Sequence, residues 1–362
     1  MNFILKHAIE TDASDIHITE NKVSWIRSKG HFHKYGDEIN LSDIDEFIEL
    51  IIPHILNEYI ALRDKKRMTP VDGAFQYLHR RFRINIYRGM DGINLAIRLL
   101  SDRILSLEEL CIPKEVSIFT QIKSGLFLVV GTTGSGKSTT LASMIDTINH
   151  NRSENILTIE QPVEYIHVSD NSRIEQIEVG IHVDSFGTAT VAAMRQNPNI
   201  ILVGEMRDLE TIQNAITLAE TGHVVYGTLH AKSVTDTVDR IIDVFPPKQQ
   251  EQIRIQLAGV LKGVLHQTLV CTKNGNVVPV IEQLVVDDVT AAMILGKQKS
   301  NSIRDHLRGK AALGNIHVAD NVAWHIKNGR LDAESVKNIL SPDDYNLVKT
   351  LTQAYHAKKG FN

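Results

Sequence analysis

Gly131-Thr132-Thr133-Gly134-Ser135-Gly136-Lys137-Ser138 decides how this chain is read. The apolar run Leu126-Phe127-Leu128-Val129-Val130 precedes it, and Thr139-Thr140-Leu141-Ala142-Ser143-Met144-Ile145 follows. Strand, glycine-rich turn and helix in that order are the setting a phosphate-binding loop requires. The glycines let successive backbone N–H groups turn inward onto phosphate oxygens, at the positive end of the following helix. Lys137 is placed to reach the β- and γ-phosphates, and the Ser138 hydroxyl to hold Mg²⁺. The helix has its own periodicity, since Leu141, Met144, Ile145 and Ile148 recur at i, i+3, i+4 and i+7. A glycine-rich loop matching by chance would lack these flanks. Gly131 to Thr139 therefore reads as a nucleoside triphosphate site.

Length and charge narrow the class. A chain of 362 residues is long for one hydrophobic core, so two domains are expected. The 39 basic and 43 acidic residues give a formal net charge of -4, which argues against a general nucleic-acid binder. Cys111 and Cys271 are the only two cysteines and form no C-x-x-C pair, which excludes a zinc ribbon and fits a reducing compartment. No apolar run approaches the ~18 residues of a membrane span, and Met1-Asn2-Phe3-Ile4-Leu5-Lys6 lacks a signal-peptide core. The expectation is a cytoplasmic protein with no transmembrane segment of its own, whose membrane work goes through a partner.

The first hundred residues mix strand and helix signals. Ser14 to Thr19 and Val23 to Ile26 read as short strands, with Gly30 and Gly36 near turns. Ser42, with Asp45 three residues on, opens a helix whose buried stripe is Ile44, Phe47, Ile48 and Ile51, and Pro53 falls within or just after it. Arg81 to Tyr87 alternates, with Phe82, Ile84 and Ile86 on one face and Arg81, Arg83, Asn85 and Tyr87 on the other. Leu95 to Leu100 is a second such strand, with Arg98 opposite its apolar face. Arginines thus gather on one sheet face, which on periodicity alone reads as a solvated basic surface.

Residues 101–120 read as a linker punctuated by Ser106 and Pro113. Beyond Gly125, strands and helices alternate: Asn155 to Glu160 and Pro198 to Glu205 as strands, Thr211 to Thr221 as a helix stopped by Gly222, and Val224 to Thr228 as a strand. That order implies a mostly parallel sheet with the phosphate loop at a strand's carboxyl end. After about residue 247 the chain reads as mainly helical, broken by a hairpin near Lys273-Asn274-Gly275-Asn276.

Phosphoryl transfer to water needs a metal, a group that positions water and a cation for the developing charge. Glu205, after four apolar strand residues, stands where a P-loop enzyme keeps its metal-coordinating acid. Glu160 and Glu164 follow the neighbouring strand, and either could hold the attacking water from a fixed turn. Each of these glutamates reads equally well as a surface residue. His223 and His230 bracket a strand, where a lone histidine is usually structural.

These segments, in this order, resemble the secretion-type hexameric ATPases that power type II secretion and type IV pili. The likeness spans nearly the whole chain. It runs through Ala13-Ser14-Asp15-Ile16-His17-Ile18 and the Gly-Glu-Met-Arg-Asp run from Gly204 to Asp208. It continues through Glu220-Thr221-Gly222-His223, Gly227-Thr228-Leu229-His230-Ala231 and Asp239 to Pro246. Within the family the chain looks most like the PilT-type retraction motors, since the larger extension and secretion motors usually carry an extra N-terminal domain and a four-cysteine metal site.

The resemblance implies an α/β fold: a RecA-like P-loop ATPase core, an N-terminal PAS-like α+β domain and a helical C-terminal segment. The expected division is residues 1–100, a linker at 101–120, the core at 121–265 and the mainly helical region at 266–362. ATP and Mg²⁺ are the implied cofactors. The implied partners are copies of the chain in a homohexamer and a pilus or secretion platform protein, met at the inner face of the cytoplasmic membrane. Glu164 matches the family's catalytic glutamate, and Glu205 the acid that organises Mg²⁺, partly through water. His223 and His230 match its γ-phosphate-sensing histidines. Arg81, Arg83 and Arg98 match arginines that reach nucleotide across a domain or subunit boundary.

Three departures stand out. Gln161 replaces an aspartate in the family's Glu-Asp-Pro, and Ile177 replaces an arginine in its Gln-Arg-Glu-Val-Gly. The Ala-Ile-Arg-Asn-Leu-Ile motif associated with retraction has no clear copy, and Ala291-Ala292-Met293-Ile294-Leu295-Gly296 occupies its place. The expected function is pilus retraction or disassembly driven by ATP hydrolysis. Pilus assembly or type II/IV secretion is the alternative, a nucleic-acid motor of RecA-like fold the rival from another class. A nucleotide-binding regulator of little turnover is a third reading, left open by Gln161.

Overall fold

The computed structural model describes residues 1–101, 103–272, 274–296, 300–309 and 313–359. Contacts group Met1–Ile104 with Pro162–Ile166 as one compact unit, and Leu105–Gln161 with His167–Asn362 as a second.

The first unit is a six-stranded sheet with helices on one face. Helix α1 (Asn2–Glu10) leads into β1 (Asp15–Thr19), β2 (Lys22–Ser28) and β3 (His31–Ile39). Helices α2 (Leu41–Ile51) and α3 (Leu56–Arg63) precede β4 (Val71–Tyr77), β5 (Arg80–Gly89) and β6 (Gly92–Leu99). The order β3-β2-β1-β6-β5-β4 is antiparallel at every pairing. Strand alternation sends Ile16, Ile18, Ile26, Phe82, Ile84, Ile86, Leu95 and Ile97 to one face, where they share a core with Ile4, Leu5, Ile44, Phe47 and Ile48 of the helices. The opposite face carries the arginines: Arg98 pairs across strands with both Asp15 and Arg83, and Arg27 with Asp15.

Two local expectations shift. The helix expected from Ser42 is capped earlier, because the Asn40 side chain accepts from the Asp43 N–H and Asp43 accepts in return from the Asn40 N–H, both at 3.0 Å. Asp45 is then released from capping and accepts from the Tyr59 hydroxyl at 2.5 Å and from Arg63 at 3.1 Å. Gly36 lies at no turn but inside β3, where the register slips against Val23 and Ser24 of β2.

The second unit is a seven-stranded sheet covered on both faces. Its elements are β7 (Gly125–Val130), α4 (Lys137–Asn151), β8 (Asn155–Glu160), β9 (Arg173–Glu178), α5 (Phe186–Ala193), β10 (Ile200–Val203), α6 (Leu209–Glu220) and β11 (Val224–Leu229). Then follow α7 (Val234–Asp243), α8 (Pro247–Val260), β12 (Leu261–Cys271), β13 (Val277–Val285) and four helices: α9 (Asp288–Leu295), α10 (Ser300–Gly309), α11 (Val318–Lys327) and α12 (Pro342–Lys359). The order is β13-β12-β7-β11-β10-β8-β9, parallel throughout except where β13 runs against β12. Successive β7 residues point to opposite faces: Leu126, Leu128 and Val130 pack with Ile212 and Ile216 of α6, Phe127 and Val129 with Met144, Ile145 and Ile148 of α4. Every β7 residue is buried, as a central parallel strand requires.

The stretch expected as a linker is packed into this unit. Leu107, Ile112, Val116 and Phe119 join the core on the α4 face, and Lys114–Gln121 winds into a 3₁₀ helix. The Phe119 ring stacks on Phe127 at 4.0 Å between centroids, and the buried Tyr226 hydroxyl donates to the Phe119 carbonyl at 2.7 Å. The expected hairpin is present but larger than its turn residues suggest. Strands β12 and β13 pair from Gly263 opposite Val285 to Cys271 opposite Val277, and β12 crosses the expected division at residue 265. Of the four residues expected at its turn, Lys273 lies outside the described residues.

Candidate functional site

The loop Gly131 to Lys137 leaves the carboxyl end of β7 and enters α4 directly. Gly131 has φ +151° and an added Cβ would lie 2.3 Å from the Gln267 carbonyl oxygen. Gly136, at φ +85°, would place a Cβ 2.7 Å from Gln267 Nε2. The motif needs glycine at both positions because β12 crowds the loop from beneath, a reason the motif alone does not show. Lys137 Nζ donates to the carbonyls of Gly131 at 3.1 Å and Thr132 at 3.0 Å, so the ammonium is drawn back over the loop. Thr132, Thr133, Gly134 and Ser138 are exposed along the open side.

Gln267 is the feature the sequence reading missed. It is 2 % exposed, its Nε2 donates to the Ser135 carbonyl at 2.7 Å, and its Oε1 accepts from the Thr140 hydroxyl at 2.7 Å. No motif flags a glutamine ~130 residues after the loop; only the register of β12 alongside β7 brings it there.

Two strands carry the acid candidates to the same edge of the sheet. Glu205 follows β10, and His230 follows β11, which lies between β10 and β7. His230 Nε2 is 3.0 Å from Glu205 Oε1, and Arg207 also reaches that carboxylate. The backbone around them is tied down: the Thr228 hydroxyl donates to the Gly204 carbonyl at 2.5 Å, and the Met206 N–H donates to the Thr228 carbonyl at 3.0 Å. Glu160, at the end of β8, accepts from the Thr158 hydroxyl at 2.7 Å and from Gln176 at 3.3 Å. The phosphate loop, Glu205, His230 and Glu160 therefore line one edge, the carboxyl ends of parallel strands, where open α/β sheets bind ligands.

His223 does not join them. It stands at the amino end of β11, opposite the residue that starts β7, and its Nδ1 lies 3.0 Å from the Leu218 carbonyl. A six-residue strand separates it from the loop's edge, roughly 20 Å at the usual rise. It borders a separate cavity of about 420 Å³ with Lys123, Arg152 and Glu154.

Glu164 sits in the first unit's segment, Pro162–Ile166. Arg81 holds that segment, its Nε donating to the Val163 carbonyl at 2.8 Å. Arg83 and Arg98 are exposed on the sheet face, and Arg98 Nε donates to Asp15 Oδ1 at 2.9 Å. Burial opposes the Asp15 charge, but the hydrogen bonds from Arg98 and Ser14 outweigh it and hold the carboxyl below its ordinary range.

With this geometry in place, the family described as type II/IV secretion system protein matches residues 1–354. The chain belongs to that family. The type IV pilus retraction ATPase PilT of Pseudomonas aeruginosa is 36% identical over 311 residues, which cover 83% of this chain and 89% of the relative. A twitching motility protein of Neisseria gonorrhoeae is 36% identical over 307 residues, 84% of this chain and 82% of that one. Among solved structures, that of the pilus retraction motor PilT with bound ADP superposes with a TM-score of 0.85 at 34% identity, covering 95% of this chain and 98% of the other. The expected architecture, a RecA-like core with an N-terminal α+β domain and a helical C-terminal region, stands in this secretion-family chain. At the departure, Ile177 lies partly buried on the edge strand β9 and packs against the core.

Proposed function

We propose that this chain is an ATP-hydrolysing motor of type IV pilus retraction or disassembly, working as a homohexamer on an inner-membrane platform protein. One observation carries the reading. A phosphate loop, an acid on the next-but-one strand and a histidine between them share one sheet edge, in a chain that follows a pilus retraction motor over 95% of its length.

The nucleotide's phosphates would meet the loop's N–H groups, and Lys137 would exchange the carbonyls of Gly131 and Thr132 for the β- and γ-phosphates. Mg²⁺ fits the donors available: the exposed Ser138 hydroxyl and the Glu205 carboxylate are hard oxygens on the phosphate side of the sheet. When bound, the ion neutralises charge developing on the phosphates. His230, beside Glu205, is suited to sense the γ-phosphate. Glu164 takes the role of base toward the attacking water.

Arg83 and Arg98 would reach nucleotide from the exposed sheet face of the N-terminal domain, residues 1–100, with Arg98 giving up Asp15 for phosphate. Arg81, bonded to the Val163 carbonyl, would act by holding the Glu164 segment. His223, roughly 20 Å along β11 from its own loop, would sense a γ-phosphate only on nucleotide held by another subunit. The core takes in Leu105 to Gln121 and the hairpin β12–β13, and the helices after β13 supply the partner-facing output. Among the described residues no helix is long and apolar enough to cross a membrane.

The segment Ala291 to Gly296 favours a second reading, assembly or secretion, because it lacks the retraction motif and lies in and just after α9 with only Ile294 in the core. A deletion strain decides between them. Under the retraction reading the cells stay piliated and lose pilus-dependent movement. Bald cells, or loss of a secreted substrate with pili unchanged, would favour the second reading.

A further inference from the structure

We infer that Gln267 is the positioning residue of the phosphate loop: it sets the orientation of the Ser135–Gly136 peptide and ties that peptide to the first turn of α4. The inference rests on the nucleotide-site reading above and deepens it.

The two hydrogen bonds determine the side-chain amide. Ser135 offers a carbonyl, which only accepts, so Nε2 must face it; Oε1 is then left for the Thr140 hydroxyl, which donates. A flipped amide would set two oxygens against each other. Gln267 is thus a bridge with one orientation, buried at 2 % exposure.

What the bridge holds is a peptide plane. A trans peptide points its C=O and N–H in opposite directions. With the Ser135 carbonyl turned down onto Gln267, the Gly136 N–H is turned up, away from β12 and toward the open side of the loop. That N–H is one of the donors a phosphate needs, and Gly136 can take its φ of +85° here only because it lacks a Cβ to strike Nε2. On the helix side, Thr140 is anchored twice, its hydroxyl on Gln267 and its N–H on the Gly136 carbonyl at 3.0 Å. Loop and helix start are therefore held to β12 through a single side chain. A donor already aimed at its anion costs no reorganisation on binding, which is what makes such preorganisation effective.

Gln267→Met keeps the length and volume while removing both bonds. Thr140→Val removes only the hydroxyl that ties the amide to the first turn of α4. Nucleotide affinity by equilibrium titration with ADP, steady-state kinetics with ATP, and the melting temperature of the nucleotide-free protein are read for each variant. The methionine variant is expected to bind ADP about tenfold more weakly, with KM for ATP rising in step and kcat falling less than KM rises. The valine variant is expected to move the same way by a smaller factor, and it alone decides if the methionine variant does not fold. Wild-type affinity in the folded variants overturns the inference. So does a loss of affinity that merely follows a fall in the nucleotide-free melting temperature, since that marks a packing role. Failure of the unaltered protein to bind ADP would instead overturn the nucleotide-site reading.

Discussion

Lys137 lies folded over its own loop, held by two backbone carbonyls, and this is the state from which nucleotide must draw it. Lys137→Ala removes the one loop cation aimed at the β- and γ-phosphates, so hydrolysis is expected to vanish and nucleotide affinity to fall. Near-normal turnover in a Lys137→Ala assay would remove the phosphate-loop assignment. The two glutamates separate by the roles proposed for them. Glu164→Gln should keep ATP binding and ring formation while losing about 10²–10⁴-fold in rate, since glutamine holds water without accepting its proton. Glu205→Ala should also disturb Mg²⁺-dependent binding. If Glu205→Gln abolishes turnover while Glu164→Gln stays active, the two roles are reversed. At this scale the sequence showed the loop in full, because its glycines are spaced by local geometry. Gln267 was invisible: its role comes from strand register, and a single glutamine carries no periodic signal.

Among elements, the strands β7, β10 and β11 were legible because burial on both faces makes continuous apolar runs. The sheet's edge was not. In β9, Arg173-Ile174-Glu175-Gln176-Ile177-Glu178 alternates so weakly that only its pairing with β8 reveals a strand. The hairpin β12–β13 was read from its turn, yet its length came from pairing with β7, which no turn residue encodes. The segment before β7 misled for the opposite reason, since Ser106 and Pro113 look like punctuation while Ile112, Val116 and Phe119 supply the packing. Phe119→Ala should therefore cost about 3–5 kcal/mol in a denaturant titration, as emptying a filled core site does. A change within a few tenths of a kcal/mol would restore the linker.

The molecule as a whole is proposed to complete its sites between copies. Mixing Arg98→Ala subunits with Lys137→Ala subunits should restore activity wherever an intact loop meets an intact arginine, an arginine supplying roughly 10³–10⁵ in rate. A flat mixing curve would exclude action between subunits. Stability should also depend on pH through three histidines of the second unit. Burial holds His167, His266 and His325 at about 4, the last against a hydrogen bond to the Pro279 carbonyl that pulls the other way. An unfolded histidine titrates near 6.5, so between about 6.5 and 4 the unfolded chain binds more protons than the folded one. Stability contributed by these neutral rings is whole above that window and is lost as pH falls through it. Melting temperatures should drop from pH 7 to pH 4.5, and a flat profile would show that the rings are not held neutral.

The place of Gln267 has one more consequence, for the order in which the chain is made. The phosphate loop is written by residue 138, but the side chain that completes its underside arrives ~130 residues later, on the strand beside it. At about 5–20 residues per second that is a gap of roughly 6–26 seconds during translation. A ribosome-bound chain shorter than this carries the entire motif and lacks the brace beneath it. A nascent chain that ends before Gln267 is thus expected to hold ATP less tightly than the finished protein, by the same factor as the loss of that side chain.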